Sequence, residues 1–360
     1  MKVAVILPRG MVFSPKGATS IDLVAHDLYQ ASRYKESTYV IGAGVREPFD
    51  GVDFRPVEAE SQAEFIRKAA GILKSDLPDL VVVHQHPESA AAISRFCAPV
   101  PVVLHRHGLM RHKRGWLSRW RKGRSLKPIH GFIFVSDFIR QGFLRAYPHL
   151  EPKTSVVFNG VDCREWRPLE RKNQTVIYVG RAREDKGVDI LLDAFKDIRQ
   201  PGWHLDLVLG VQTDAERAYF QRIGAKVAPD EPISIFRNLT SSEVKGRLGQ
   251  AAIAALPSIV EEGFPRAVVE AMACGCATIA TASGGTPEAA GTCAILLPRS
   301  EAETTGENLA AALRGLINDE QKRMALSEAA RRHVLSTLDL AAVAAAYDAC
   351  LDRQLEPDPL

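Results

Sequence analysis

The feature that most constrains this chain is the run Ser258-Ile-Val-Glu-Glu-Gly-Phe-Pro-Arg-Ala-Val-Val-Glu-Ala-Met-Ala-Cys-Gly275. A short apolar segment, Ala251 to Leu256, precedes it and reads as a buried strand that Pro257 stops. Pro265 suits the first turn of a helix, because its φ is already helical and its missing amide hydrogen is not needed there. Ala267, Val268, Val269, Ala271 and Met272 form an apolar helical run, and Gly275 closes it as a C-terminal cap. A helix N-terminus therefore follows the C-terminal end of a strand. Open α/β sheets bind ligands at that place, and a helix N-terminus favours anions such as phosphate. Glu262 in the loop and Glu270 on the helix frame the turn. A carboxylate accepts two hydroxyl hydrogen bonds at once, which suits sugars and ribose. At this spacing the pair is also compatible with a plain solvated helix face.

The remaining chain repeats strand, turn and helix. Val3 to Leu7, Thr38 to Ile41, Leu80 to His84, Val100 to Leu104, Gly131 to Val135 and Thr154 to Phe158 read as strands of the first half. Gln62 to Leu73 reads as a helix, and Ser136 as the cap of another. A polar linker, Arg164 to Asn173, separates a second set that begins with Thr175 to Val179. With 360 residues, two domains are the natural expectation. We read 1–163 as the first domain, 164–338 as the second, and 339–360 as a further helix with a tail.

Several motifs resemble one family. Glu262-Gly-Phe-Pro…Glu270-Ala-Met-Ala-Cys-Gly is similar to the Glu-x7-Glu motif of retaining family 4 glycosyltransferases (glycosyl transferases group 1), which have the GT-B fold. Gly180-Arg…Lys186-Gly187, Asn159-Gly-Val-Asp162 and Ser283-Gly-Gly-Thr-Pro-Glu288 resemble further signatures of that family. The implied architecture is α/β, with two Rossmann-like doubly wound domains facing across a cleft: 1–163 would be the N-terminal acceptor-binding domain, 164–338 the nucleotide-sugar-binding domain, and the helix of 339–360 would cross back to the first domain.

The resemblance implies a hexosyltransferase. It would move a sugar from a nucleotide-diphosphate sugar, UDP-sugar first among them, to a hydroxyl of a glycan or glycolipid acceptor. Retention at the anomeric carbon and a place in cell-envelope polysaccharide or lipopolysaccharide synthesis are part of that expectation. Catalytic roles fall to His107, Glu262, Arg181 and Lys186, with His105 the second choice to His107. Donor contacts fall to Gly17, Asn238, Leu239, Gly263, Phe264, Pro265, Arg266, Ala267 and Glu270. Arg181 and Lys186 would neutralise the diphosphate, Glu262 would hold sugar hydroxyls and Glu270 the ribose. The family's commonest residue at Pro265 is glycine, so one amide contact is lost or shifted here. No Asp-x-Asp pair stands at a strand end, and the two cations can do a metal's work. No metal or other cofactor is expected. A nucleotide-sugar 2-epimerase of the same fold and a catalytically silent sugar-binding protein are the alternative readings. The first lacks a carboxylate cluster in the N-terminal half, and the intact Arg181, Lys186, Glu262 and Glu270 disfavour the second.

Charge adds one feature. The net charge is only +3, yet residues 111–127 carry eight Lys or Arg and no acid, which leaves the rest net acidic. Trp116, Leu117 and Trp120 are interleaved at helical spacing. The segment suits an anionic membrane surface or an acidic acceptor, or is a solvated basic face with both tryptophans packed inward. Nucleic acid is not expected, since no recognition fold accompanies the patch. No apolar run reaches membrane-spanning length, and Val3 to Leu7 is too short for a signal core. The expected location is the cytoplasm, peripheral at the inner face of the plasma membrane if the basic segment binds lipid. The six cysteines form no paired zinc pattern and read as small buried residues of a reducing compartment.

Overall fold

The computed structural model describes residues 1–110, 115–299 and 301–355. The chain divides into two compact units, Met1–Gly160 with Leu340–Leu360, and Val161–Asp339.

In the first unit β1 (Val3–Ile6), α1 (Ser20–Ala31), β2 (Thr38–Ala43), β3 (Phe54–Val57), α2 (Gln62–Ser75), β4 (Leu80–His84), α3 (Pro87–Phe96), β5 (Val102–Arg106), α4 (Trp116–Leu126), β6 (Gly131–Phe134), α5 (Asp137–Leu144) and β7 (Thr154–Val156) follow in order. Their seven strands form one parallel sheet, ordered β3-β2-β1-β4-β5-β6-β7. Parallel strands covered on both faces need continuous apolar runs, and Leu80-Val-Val-Val83 and Val102-Val-Leu104 are almost wholly excluded from solvent. Ser61 and Ser136 accept hydrogen bonds from the third amide of α2 and α5, so these helices begin where the sequence supplies a cap.

The second unit runs β8 (Asn173–Arg181), α6 (Val188–Ile198), β9 (His204–Gly210), α7 (Asp214–Ala225), β10 (Ile233–Arg237), α8 (Ser241–Gln250), β11 (Ala251–Leu256), α9 (Arg266–Ala273), β12 (Ala277–Thr281), α10 (Thr286–Ala290), β13 (Ile295–Leu297), α11 (Ala302–Asn318) and α12 (Glu320–Thr337). Its six parallel strands are ordered β10-β9-β8-β11-β12-β13. In both sheets the order reverses once, between β1 and β4 in the first and between β8 and β11 in the second. A crevice opens at the carboxyl ends of strands where connections diverge in this way.

Residues 161–163 sit with the second unit. Val161 bridges Asp339, its amide bonds Leu338 O at 3.1 Å, and Arg331 donates to Cys163 O at 2.8 Å. The last helix, α13 (Leu340–Asp352), is part of the first unit and packs on α1. There the Asp348 carboxylate accepts from the Ser32 hydroxyl at 2.6 Å and the Arg33 amide at 2.9 Å. All six cysteines are free thiols, and Cys97 and Cys293 are only half-buried.

The structure adds β3, α3 and β13, which were not among the expected elements, and moves β5 by two residues, so that it ends on Arg106. Among the described residues, no helix is long and apolar enough to cross a membrane.

Candidate active site

In the second unit, the loops that follow β8 and β11 are laced together. The Ile259 amide bonds Asp185 O at 3.0 Å, and the Ser258 hydroxyl lies 3.4 Å from the same carbonyl. Gly187 has a φ of +70°, and a Cβ there would stand 2.2 Å from Pro257 O, so only glycine allows this approach. The lacing brings Lys186 and Glu262 together. Lys186 Nζ lies 2.5 Å from Glu262 Oε1, which also accepts from the Ser258 hydroxyl at 2.7 Å. Both side chains are about one-fifth exposed, so the pair is sheltered without being sealed.

Arg181 ends β8, five residues before Lys186. Its Nε lies 2.6 Å from Oε1 of Glu216, whose side chain is buried. Burial pushes the Glu216 carboxyl up. The Arg181 guanidinium and the Gln212 and Thr213 amides outweigh that and hold it below its ordinary range. Glu216 was not foreseen as a site residue, although Thr213-x-x-Glu216 is a legible capping box of α7. Arg181 and Lys186, the two cations expected to neutralise a diphosphate, are thus each paired with a carboxylate.

Helix α9 begins at Arg266 with Pro265 as its cap, one residue later than the first-turn position expected for the proline. Arg266 and Glu270 form a buried i,i+4 ion pair at 3.2 Å. The Phe264 ring is buried, whereas Gly263, Pro265 and Ala267 are part-exposed. Any donor contact at 264 is thus through its backbone.

The double glycine after β12 lies against the Glu262 loop. Gly284 adopts φ +62°, and a Cβ there would lie 2.0 Å from Glu262 O, while the Gly285 amide bonds that carbonyl at 2.8 Å. Ser283 Oγ donates to Val260 O at 2.8 Å. The turn clasps the Glu262 loop.

Asn238 has a left-handed φ of +52°. Its side-chain oxygen accepts from the Val211 amide at 2.7 Å and its nitrogen donates to Val211 O at 3.1 Å. Asparagine tolerates this conformation better than most residues. Its amide group ties the β9 and β10 loops, so at this position the side chain serves the scaffold. Leu239 beside it is half-buried.

In the first unit Gly17 lies exposed in the turn before α1, with φ +89°. His105 lies inside β5 rather than beyond its end, and His107 follows it. His84 ends the neighbouring strand, and its Nδ1 is 3.0 Å from His107 Nε2. Burial pushes the His84 imidazole down to about 3 and those of His105 and His107 well below their ordinary value. Among the described residues, this trio is the one cluster of metal-ligating side chains.

Arg111, Lys113 and Arg114 lie outside the described residues, as do the side chains of Trp116, Leu117 and Arg119. Further along α4, Arg121, Arg124 and Lys127 are exposed, and Lys122 is paired with Glu88. Trp120 points outward rather than into the core, 54% exposed, with the Arg124 guanidinium 4.8 Å over its ring.

Comparison with known proteins gives these observations a family. The family described as Glycosyltransferase Family 4 matches residues 20–165, and that described as Glycosyl transferases group 1 matches residues 164–333. An alpha-maltose-1-phosphate synthase of Mycobacterium tuberculosis is 27% identical over 300 residues, 73% of this chain and 76% of that protein. An MMP alpha-(1->4)-mannosyltransferase of Mycolicibacterium hassiacum is 25% identical over 306 residues, covering 78% and 72%. Among solved structures, Anabaena Alr3699/HepE in complex with UDP-glucose superposes with a TM-score of 0.80 at 18% identity, covering 98% of this chain and all of that one. With two parallel Rossmann-like sheets and these matches along its length, the chain is a glycosyltransferase of the GT-B fold.

Proposed function

We propose that this glycosyltransferase moves a hexose from a nucleotide-diphosphate sugar to an acceptor hydroxyl, with retention at the anomeric carbon. The observation that carries the reading is the Lys186–Glu262 pair, held by interlocked loops at the point where the second sheet reverses its strand order. The hard step is loss of the nucleoside diphosphate. Arg181, Lys186 and the N-terminus of α9 supply positive potential for the charge that grows on it, and they are oriented before the donor arrives. Glu262 is suited to sugar hydroxyls and Glu270 to the ribose. The family resemblance assigns His107 to the sugar end. The solved relative in complex with UDP-glucose supports a UDP-sugar as the donor. These cations leave no task for a metal at the diphosphate, so transfer is expected to be metal-independent.

The acceptor we propose is an anionic glycan or lipid-linked glycan of the cell envelope. The support is the basic segment 111–127, of which Arg121, Arg124 and Lys127 present their charges to solvent. The deciding experiment incubates the full chain with a panel of nucleotide sugars, with and without an envelope-glycan extract. Nucleotide release that rises with acceptor, and an α-linked product from an α-donor by NMR, is the expected result. Conversion of the donor to its 2-epimer, or binding without turnover, would replace the reading by one of the two alternatives.

A further inference from the structure

The histidines at the carboxyl end of the first sheet are arranged by strand geometry. His84 and His105 are register partners on the adjacent parallel strands β4 and β5. Register partners point to the same face, and so does a residue two further along, which adds His107. Ring nitrogens of all three lie within 4.8 Å of one another. Ring centroids are 4.9 Å apart for 84 and 105, 5.1 Å for 84 and 107, and 4.4 Å for 105 and 107.

Hydrogen bonding within the protein leaves this cluster incomplete. His84 Nδ1 and His107 Nε2, 3.0 Å apart, can share one proton. His105 is 1% exposed, and neither of its ring nitrogens has a hydrogen-bond partner. A neutral imidazole carries one N–H and one lone pair, so both a donor and an acceptor are buried unused. Buried polar atoms without partners are uncommon and point to an ion or water among them.

The surrounding backbone is built to hold the rings still. Gln85, between the strands, takes a left-handed φ of +63°. Its amide bonds His105 O at 2.7 Å, and its side-chain oxygen accepts from the His107 amide at 3.0 Å. The buried Arg106 guanidinium donates to Gln85 O and, at 2.6 Å, to Leu109 O. Such strain in a non-glycine residue persists where surrounding contacts over-determine it, and it clusters at ligand sites. Tyr347 of α13 stacks on His105 with centroids 5.9 Å apart.

We propose that His84, His105 and His107 form a binding site for a borderline divalent transition-metal ion, with Zn2+ the best fit. Zinc binds imidazole nitrogen at about 2.0–2.1 Å, which sets ligand nitrogens ~3.4 Å apart in a tetrahedron. The trio's nitrogens, within 4.8 Å of one another, would draw together to that spacing on binding. Three imidazoles without a carboxylate favour Zn2+, Co2+, Ni2+ or Cu2+ over Mg2+ or Ca2+, which prefer oxygen ligands. The ion is therefore distinct in chemistry from a metal that would bridge a diphosphate. It takes His107 as a ligand in place of the sugar-end role that the family resemblance assigns to it, and zinc binding is read without the transfer reaction.

The test uses the tag-free full chain after chelator treatment, titrated with Zn2+ against a chromogenic zinc indicator. One equivalent should bind and raise the melting temperature. Co2+ in its place should give visible d–d bands without a thiolate charge-transfer band, which separates the trio from the half-buried Cys97 and Cys293. His84→Ala and the less buried His107→Ala should each weaken binding by more than the roughly 10–100-fold that outer-shell changes cost. Circular dichroism checks that both variants are folded. Failure of the wild type to take zinc from the indicator, a thiolate band with Co2+, or unchanged affinity in folded His107→Ala would each overturn the site.

Discussion

At the scale of single residues, Glu262 depends on an atom that is not there. A methyl group at Gly284 would stand 2.0 Å from Glu262 O, and the backbone φ of +62° disfavours any side chain. Gly284→Ala should cost about 1–2 kcal/mol for the left-handed conformation alone. It should also push the Glu262 loop away from Lys186. We expect near-wild-type circular dichroism, a lower urea midpoint and a loss of turnover larger than the loss of stability explains. Glu262 and Glu270 should separate in kinetics. Glu262→Ala should lower kcat by about 10- to 100-fold, the ~1.5–3 kcal/mol of a hydrogen bond to a charged group, with a smaller change in donor affinity. Glu270→Gln should raise KM for the donor more than it changes kcat. Glutamine is preferred to alanine because its amide oxygen still accepts a hydrogen bond from the buried Arg266, but it removes the counter-charge, so the urea midpoint is measured beside the kinetics. Equal, small effects of both variants on kcat and KM would sink the assignment. Glu216 gives a pH dependence. Its carboxyl is more acidic folded than unfolded, so its stabilisation is present above the ordinary carboxylate range and fades as pH falls through the lowered folded value. Wild type should therefore lose its stability advantage over Glu216→Gln as pH falls from neutral to below the ordinary carboxylate range, measured as urea midpoints.

At the scale of elements, what the sequence made legible followed from burial. Interior parallel strands have to be continuously apolar, so β1, β4, β8 and β11 stand out from any reading of hydrophobic runs. The edge strand β3, Phe54-Arg-Pro-Val57, carries a charge and a proline because its outer side needs no ladder partner, and it therefore looks like a loop. The last two residues of β5 were hidden for the opposite reason. His105 and Arg106 are polar yet buried, and a pattern reading ends the strand before them. The same step concealed the trio with His84, although His-x-His at a period of two already places two rings on one face. For the expected site, sequence order could show that a strand, Gly-Arg and Lys-Gly lie near one another along the chain. It could not show that Lys186 meets Glu262, 76 positions away, because that contact follows from the neighbouring positions of β8 and β11 in the sheet. The element-level prediction concerns the cations at the ends of β8 and before α6. Transfer should continue in excess EDTA. Complete loss, restored by magnesium or manganese, would count against Arg181 and Lys186 as the groups that neutralise the diphosphate.

At the scale of the whole molecule, the two sheets share one strand order over six strands, to which the first adds β7, without an internal sequence repeat, and the units differ further in charge. The basic segment 111–127 belongs to the first, within a chain that is otherwise net acidic. On α4, Trp120, Arg124 and Lys127 recur at i, i+4 and i+7 and so share one face, and all three are exposed, whereas Gly123 and Leu126 turn inward. An exposed tryptophan flanked by arginine and lysine suits the boundary of an anionic membrane or a phosphorylated glycan. Each basic residue near an anionic surface contributes about 1 kcal/mol, so three acting together shift binding by roughly two orders of magnitude. That attraction is screened over about 8 Å at physiological salt. Replacing Arg121, Arg124 and Lys127 together by serine should reduce sedimentation with phosphatidylglycerol vesicles, or raise KM for a charged acceptor, and the difference should shrink as salt is raised. Lys122 is left in place because it already serves Glu88. Hydrolysis of the donor without acceptor should change little, since Arg181 and Lys186 belong to the other unit. A triple variant that matches wild type in vesicle binding and in acceptor KM at low salt would make the segment a solvated face and remove the argument for an anionic acceptor, leaving the donor chemistry of the second unit untouched.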